Sequence, residues 1–176
     1  MERKLTVYLI RHGHIDDRRY GYEWKDDLSI SGIGQYQAVL LGDSLAHEEC
    51  FDKVFSSTYT RAMETAHIVC DRSGYPKDSI EYSDDLKEIP DKSDDKLNEW
   101  IENYLNERFL PGTNSMKIAV FSHGRAIKNL ITHLVSDPRI EKSAIGNTSV
   151  TELCYSDCWT LKRIGDMSHI DQAWKQ

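Results

Sequence analysis

Apolar residues in this chain fall into short closed runs, each followed by polar residues and then by apolar positions at helical spacing. Leu5 to Ile10 is a short apolar run that reads as a strand buried on both faces, and so as part of a parallel sheet. It stops at Arg11-His12-Gly13. The polar, tyrosine-rich stretch from Asp16 to Leu28 reads as a loop, after which Ala38, Leu41 and Leu45 recur as one helical face. Lys53 to Phe55 repeats the unit: a short strand ends in Ser56-Ser57 and leads to the stripe Ala62, Thr65, Ala66, Val69 and Cys70. Ile118 to Phe121 repeats it again, breaking at Ser122-His123-Gly124 before a helix with Ile127, Leu130, Ile131 and Leu134 on one side. Strands alternating with helices predict an α/β fold.

The remaining segments fit around those units. Ile80 and Tyr82 mark another short strand. Leu86-Lys87-Glu88-Ile89-Pro90 reads as loop, because proline forces its predecessor into an extended conformation, so Glu88 sits on irregular chain. Ser93, Asp94 and Asp95 supply a cap and first-turn acids for a helix with an apolar face of Leu97, Trp100, Ile101, Tyr104 and Leu105, ended by Pro111-Gly112. Ser149 to Tyr155 and Trp159 to Ile164 form a hairpin around Ser156-Asp157. Gly32-Ile33-Gly34 follows no strand and lacks a third glycine, so it reads as helix entry rather than a dinucleotide loop.

Composition narrows the class. A chain of 176 residues is sized for one domain, 1–176, and 29% charged with 39% hydrophobic residues is the balance of a folded globular protein. A formal charge of −7 disfavours nucleic acid and anionic membranes as partners, so any anion site must be local. With no signal-like start and no bilayer-length apolar run, a cytoplasmic location is expected. Cys50, Cys70, Cys154 and Cys158 are widely spread, the close pair Cys154/Cys158 lacks a second Cys/His pair at zinc-like spacing, and all four are read as reduced thiols.

Chemistry is expected beyond the carboxyl ends of the parallel strands, where the connecting loops share a crevice. Three such loops carry Arg11 and His12, Arg61 at the start of its helix, and His123 followed by helix N-terminal amides. That is a focused anion site inside an acidic chain, and phosphate suits it. A guanidinium grips equatorial phosphoryl oxygens while a neutral imidazole attacks in line. A proton for the leaving oxygen then comes from a carboxylate on irregular chain, Glu88 or its neighbours Asp84 and Asp85.

With these residues in place, the chain resembles the histidine phosphatase superfamily, the phosphoglycerate mutase-like group, from about Leu5 to His169. Leu9-Ile10-Arg11-His12-Gly13 is similar to the defining signature. Ile30-Ser31, Gly34, Gln37-Ala38 and Leu41-Gly42 resemble the next helix opening, followed in order by Ser56-Ser57 through Arg61-Ala62 and Thr65-Ala66. Leu86-Lys87-Glu88, Ser122-His123-Gly124, Asn147 to Thr151 and Ser168-His169-Ile170 complete the set. The resemblance implies a three-layer α/β/α sandwich with a mostly parallel sheet. It also implies His12 as the nucleophile that becomes phosphohistidine, Arg11, Arg61 and His123 as phosphoryl ligands, and Glu88 as general acid and then base. It implies no metal and no cofactor.

The chain departs from the family pattern beside His12, where His14 and Ile15 replace an acidic or amide residue and threonine. Arg18 stands near where an asparagine that contacts phosphate is common. His14, Arg18 or Arg19 is therefore expected to read a second anionic group on the substrate. The short segment between Glu88 and His123 favours a compact phosphatase acting on a small phosphorylated metabolite over a phosphoglycerate mutase-type phosphotransferase. A protein phosphohistidine phosphatase and a catalytically idle phosphate-binding protein are the other readings. Ser56 and Ser57 are expected to be helix caps, Asn147 and His169 to satisfy backbone groups near the site, and His12-Gly13-His14 not to be a metal arm.

Overall fold

A computed structural model of the chain describes residues 3–16, 27–47, 50–88 and 96–170. Among the described residues six strands form one sheet: β1 (Leu5–Arg11), β2 (Lys53–Ser57), β3 (Glu81–Ser83), β4 (Met116–Ser122), β5 (Val150–Tyr155) and β6 (Trp159–Asp166), in the spatial order β3-β2-β4-β1-β5-β6. The β1/β4, β2/β4 and β2/β3 pairs are parallel, whereas β5 runs antiparallel to both β1 and β6. Only β5 opposes the common strand direction. Each apolar run read from the sequence became a strand, and the predicted C-terminal hairpin is β5-β6.

Alternating strand residues feed two cores. Leu5, Val7 and Leu9 of β1 and Ile118 and Val120 of β4 point to one side. There they meet α3 (Lys96–Asn103), the π-helical turn that continues it (Tyr104–Phe109), and α4 (Gly124–Leu134). Tyr8, Ile10, Ala119 and Phe121 point to the other side, where α1 (Gly32–Leu45) and α2 (Thr60–Ser73) pack. A sheet buried on both faces between helix layers is the three-layer sandwich expected, and it explains why β1 and β4 read as continuous rather than alternating apolar runs.

Local chemistry sets the element ends. Ser31 caps α1, its hydroxyl accepting the Gly34 N–H, which makes Gly32 and Gly34 helix entry as anticipated. Gly74, at φ 83°, ends α2 in the left-handed conformation that favours glycine. The predicted stripes of α2 and α4 are the buried ones, except that Leu134 at the end of α4 is only partly buried. The proposed cap of α3, Ser93 to Asp95, lies outside the described residues, as do Arg18 and Arg19.

One expectation is corrected. Ser56 and Ser57 do not cap α2: the N-cap is Tyr59, which has no side-chain cap bond, and the Ser56 hydroxyl donates to the Ser57 carbonyl. The first turn of α2 is instead served from afar by Asp27, whose carboxylate accepts the Thr60 N–H at 2.6 Å and the Thr60 hydroxyl at 2.9 Å.

The connections place the site. From β1 the chain crosses one face through α1, and from β4 it crosses the opposite face through α4. These neighbouring strands are therefore a switch point, the place beyond whose carboxyl ends ligands bind in such sheets.

Candidate active site

His12 follows the last residue of β1, and its amide donates to the Ser122 carbonyl at the end of β4 at 3.1 Å. The next peptide unit is fixed at both ends. Its oxygen, the His12 carbonyl, accepts Asn147 Nδ2 at 3.1 Å and the Thr148 N–H at 3.3 Å, and its N–H, that of Gly13, donates to Thr65 Oγ1 at 2.9 Å. The Thr65 hydroxyl passes its own proton to the Arg61 carbonyl at 2.7 Å. Thr65, which the sequence offered as part of a helical stripe and of the family match, thus ties α2 to the His12 loop. Gly13 has no room for a side chain, since a Cβ there would stand 2.7 Å from the Gly34 carbonyl oxygen. The close approach of α1 requires glycine.

The His12 ring is nearly inaccessible, at 3% exposure. Its Nδ1 lies 2.8 Å from the Gly13 carbonyl, which can only accept, so Nδ1 carries the proton and Nε2 holds the lone pair. Burial, the Arg11 cation and, to a lesser degree, Arg61 and His14 push its pKa down to about 3 against the pull of the Gly13 hydrogen bond. The ring is neutral at physiological pH. A neutral, oriented imidazole with a free Nε2 is what a nitrogen nucleophile needs.

His123 is fully buried at the N-cap position of α4, with its ring centroid 5.2 Å from that of His12. Its Nε2 stands 2.9 Å from Ser57 Oγ, and that oxygen accepts the Tyr59 N–H at 3.3 Å. Its Nδ1 is buried without a hydrogen-bond partner among the described residues. Burial, followed by His12, Arg61 and Arg11, holds its pKa well below the usual histidine value. When the Ser57 hydroxyl donates to Nε2, the ring proton sits on Nδ1 and is available to a ligand.

Two arginines complete the inner site. Arg61, second residue of α2, is fully buried, with its guanidinium carbon 4.4 Å from the centroid of the Tyr59 ring. Arg11 bonds the Ile145 carbonyl through Nη1 at 2.7 Å and runs so close to the start of α4 that a Cβ at Gly124 would stand 3.2 Å from its Nε. The sequence-predicted Arg11, His12, Arg61 and His123 therefore gather at one place, two imidazoles and two guanidiniums in a nearly dry crevice.

Glu88 lies on irregular chain, as expected, and its Oε1 accepts the Arg125 N–H in the first turn of α4 at 2.8 Å. That places it on the His123 side of the crevice. His14 is locked into the entry of α1: its N–H donates to Gln37 Oε1 at 3.0 Å and its Nδ1 lies 2.8 Å from Ser31 Oγ. It lines an open cleft with Asp16, Asp27 and Ser29. Among the described residues no group of three or more potential metal ligands stands together.

Several residues have structural roles that the sequence match did not reveal. Thr148 has φ 55°, a left-handed conformation rare for a β-branched residue, and it is held there from several sides. Its N–H also reaches the Arg11 carbonyl at 3.1 Å, its hydroxyl donates to the Asn147 carbonyl at 2.7 Å, and the same oxygen lies 3.1 Å from His169 Nε2. Asn147 serves a backbone carbonyl beside the site, as expected, whereas His169 meets a side-chain hydroxyl. Ser57 and Thr65 entered the sequence reading as a strand-end residue, a helical-stripe residue and members of the family match, and Tyr59 was not singled out.

Comparison with known proteins bears on this arrangement. The family model described as "Histidine phosphatase superfamily (branch 1)" matches residues 7–106. Phosphoglycerate mutase-like protein 4 of Arabidopsis thaliana is 24% identical over 204 residues, covering 95% of this chain and 87% of that protein. A phosphoserine phosphatase from Entamoeba histolytica, solved with phosphoserine, superposes with a TM-score of 0.75 at 19% identity, covering 94% of this chain and 99% of the other. A phosphoglycerate mutase from Bacillus anthracis gives 0.71 at 22% identity, with 96% of each chain covered. At these identities the structural likeness is one of fold.

Proposed function

Because the chain belongs to the histidine phosphatase superfamily, we propose that this phosphatase hydrolyses a small phosphorylated metabolite through a phosphohistidine formed on Nε2 of His12. The observation that carries the proposal is the state of His12: buried, neutral, its Nδ1 proton committed to the Gly13 carbonyl and its Nε2 lone pair free beside two guanidiniums.

In the first step Nε2 attacks phosphorus and the P–O ester bond breaks, while the leaving oxygen takes a proton from the Glu88 carboxyl group. Because Oε1 is occupied by the Arg125 amide, Oε2 is the oxygen that carries that proton. Arg11, Arg61 and the His123 Nδ1–H bind the equatorial oxygens, where charge is spread in the transition state. In the second step water attacks the phosphohistidine and gives its proton to the Glu88 carboxylate. The P–N bond breaks, inorganic phosphate leaves, and Nε2 regains its lone pair.

A mutase must hold the leaving alcohol and return it to the phosphohistidine, which calls for a cover over the crevice. Between Glu88 and β4 the described chain holds α3 and its π-helical continuation, whose apolar faces are spent on the core. Hydrolysis is the reading this supports. Hydrolysis of p-nitrophenyl phosphate that persists in chelator and disappears in His12→Ala is the expected result. Full activity in that variant, or loss of activity in chelator, would overturn the proposal.

A further inference from the structure

Lys87 is an element of the site that the reaction scheme leaves unused. Its side chain is 31% exposed, and Nζ stands 5.1 Å from the centroid of the Tyr59 ring and 2.8 Å from Asp84 Oδ1. Tyr59 is the ring against which the Arg61 guanidinium packs, and it meets the His123 ring edge-on at 5.5 Å between centroids. A rim lysine and a buried phosphate-binding arginine thus share one aromatic ring.

Lys87 is not a loose surface cation. The Lys87 N–H donates to the Asp84 carbonyl at 3.1 Å, and the Leu86 carbonyl before it accepts the buried Ser122 hydroxyl at 2.8 Å. The Glu88 carboxylate after it is anchored on α4. Asp84 is itself held by the Thr58 hydroxyl at the end of β2. An exposed lysine–aspartate pair contributes little to stability, but a pinned backbone and an aromatic support keep this ammonium in one place. An ammonium has three donors, so one bond to Asp84 leaves others for a ligand.

We propose that Lys87 is a specificity residue that binds a second anionic group on the leaving portion of the substrate, so that phosphate esters of carboxylic or other acidic alcohols are preferred over esters of neutral ones. The inference rests on the phosphatase reading for the direction of the substrate. The phosphoryl group occupies the arginine-lined floor, the leaving oxygen faces Glu88, and whatever that oxygen carries emerges beside the neighbouring Lys87. The groups facing Lys87 are Asp84 of its own turn, the Tyr59 hydroxyl and Asp27, so apart from Arg61 beneath Tyr59 the other charges on this rim are acidic and disfavour an anion. The fixed ammonium is what admits it.

The test is calorimetric titration of phenyl phosphate and of 3- and 4-carboxyphenyl phosphate into His12→Ala protein carrying Lys87, Lys87→Arg, Lys87→Met or Asp84→Asn. Binding is thereby read without turnover. A carboxylated ester is expected to bind about tenfold more tightly than phenyl phosphate, the worth of one charge-assisted hydrogen bond. That preference should persist in Lys87→Arg and Asp84→Asn and vanish in Lys87→Met. Equal affinity for all three esters in the parent, a preference that survives Lys87→Met, or its loss in Asp84→Asn would overturn the inference. The phosphatase reading fails separately, if unmodified protein hydrolyses none of the three.

Discussion

The hydroxyl of Thr65 is the smallest feature on which the geometry of His12 depends, and Thr65→Val removes it while keeping side-chain shape and burial. The native hydroxyl accepts the Gly13 N–H at 2.9 Å and donates to the Arg61 carbonyl at 2.7 Å, in a position with no solvent access. The variant leaves the Gly13 N–H buried and unpaired, at about 1–3 kcal/mol. The Arg61 carbonyl keeps its intrahelical partner in α2, so its loss adds little. A destabilisation of about 2 kcal/mol lowers Tm by roughly 4–8 °C in a domain of this size. Because one end of the His12–Gly13 peptide is then released, kcat should fall about tenfold or more as the imidazole loses its aim. Thermal melts and single-turnover kinetics on Thr65→Val and Thr65→Ser test this. Serine keeps the hydroxyl and should recover most of both losses; a valine variant that melts with the wild type, or a serine variant damaged equally, would refute the reasoning.

Two further outcomes follow from the same site. Since the folded pKa of His12 lies near 3 and its unfolded value near 6.5, the unfolded chain takes up a proton that the folded chain refuses between those limits. The stabilisation tied to this group is complete above pH 6.5 and is lost as pH falls toward 3, at up to about 1.4 kcal/mol per pH unit. Urea denaturation across that range should show a shallower acid dependence in His12→Asn than in the wild type. Tyr59→Leu removes the ring beneath Arg61 and should raise KM about fivefold or more, whereas Tyr59→Phe keeps the ring and should stay near wild type; equal loss in both would place the role in the hydroxyl.

The fold was legible because a sheet covered on both faces needs apolar residues at consecutive positions, and Val7 to Ile10 of β1 and Ile118 to Phe121 of β4 carry them. The inner site was legible for a related reason. Arg11, His12 and His123 directly follow or end those strands, and Arg61 opens the helix after β2, so strand direction alone brings them together. What the sequence hid were contacts that depend on three-dimensional register. Thr65 looks like any small residue on the buried stripe of α2, and only the approach of Gly13 turns its hydroxyl into a clamp. Ser57 reads as a cap because caps occur before helices, yet its oxygen faces His123 at the end of the neighbouring strand. The left-handed Thr148 carries no local signal, because its conformation is imposed by Arg11, His12, Asn147 and His169. His14, read as a substrate contact beside the nucleophile, has a ring bonded to the cap of α1, which a reading along the chain could not foresee.

The central claim is that His12 itself carries the phosphoryl group. Protein quenched during turnover of a phosphate ester, kept at alkaline pH, digested and sequenced by fragmentation mass spectrometry should show an acid-labile phosphoryl group on His12, absent in His12→Asn. Turnover without any such adduct, or an adduct on His14 or His123 instead, would contradict the account.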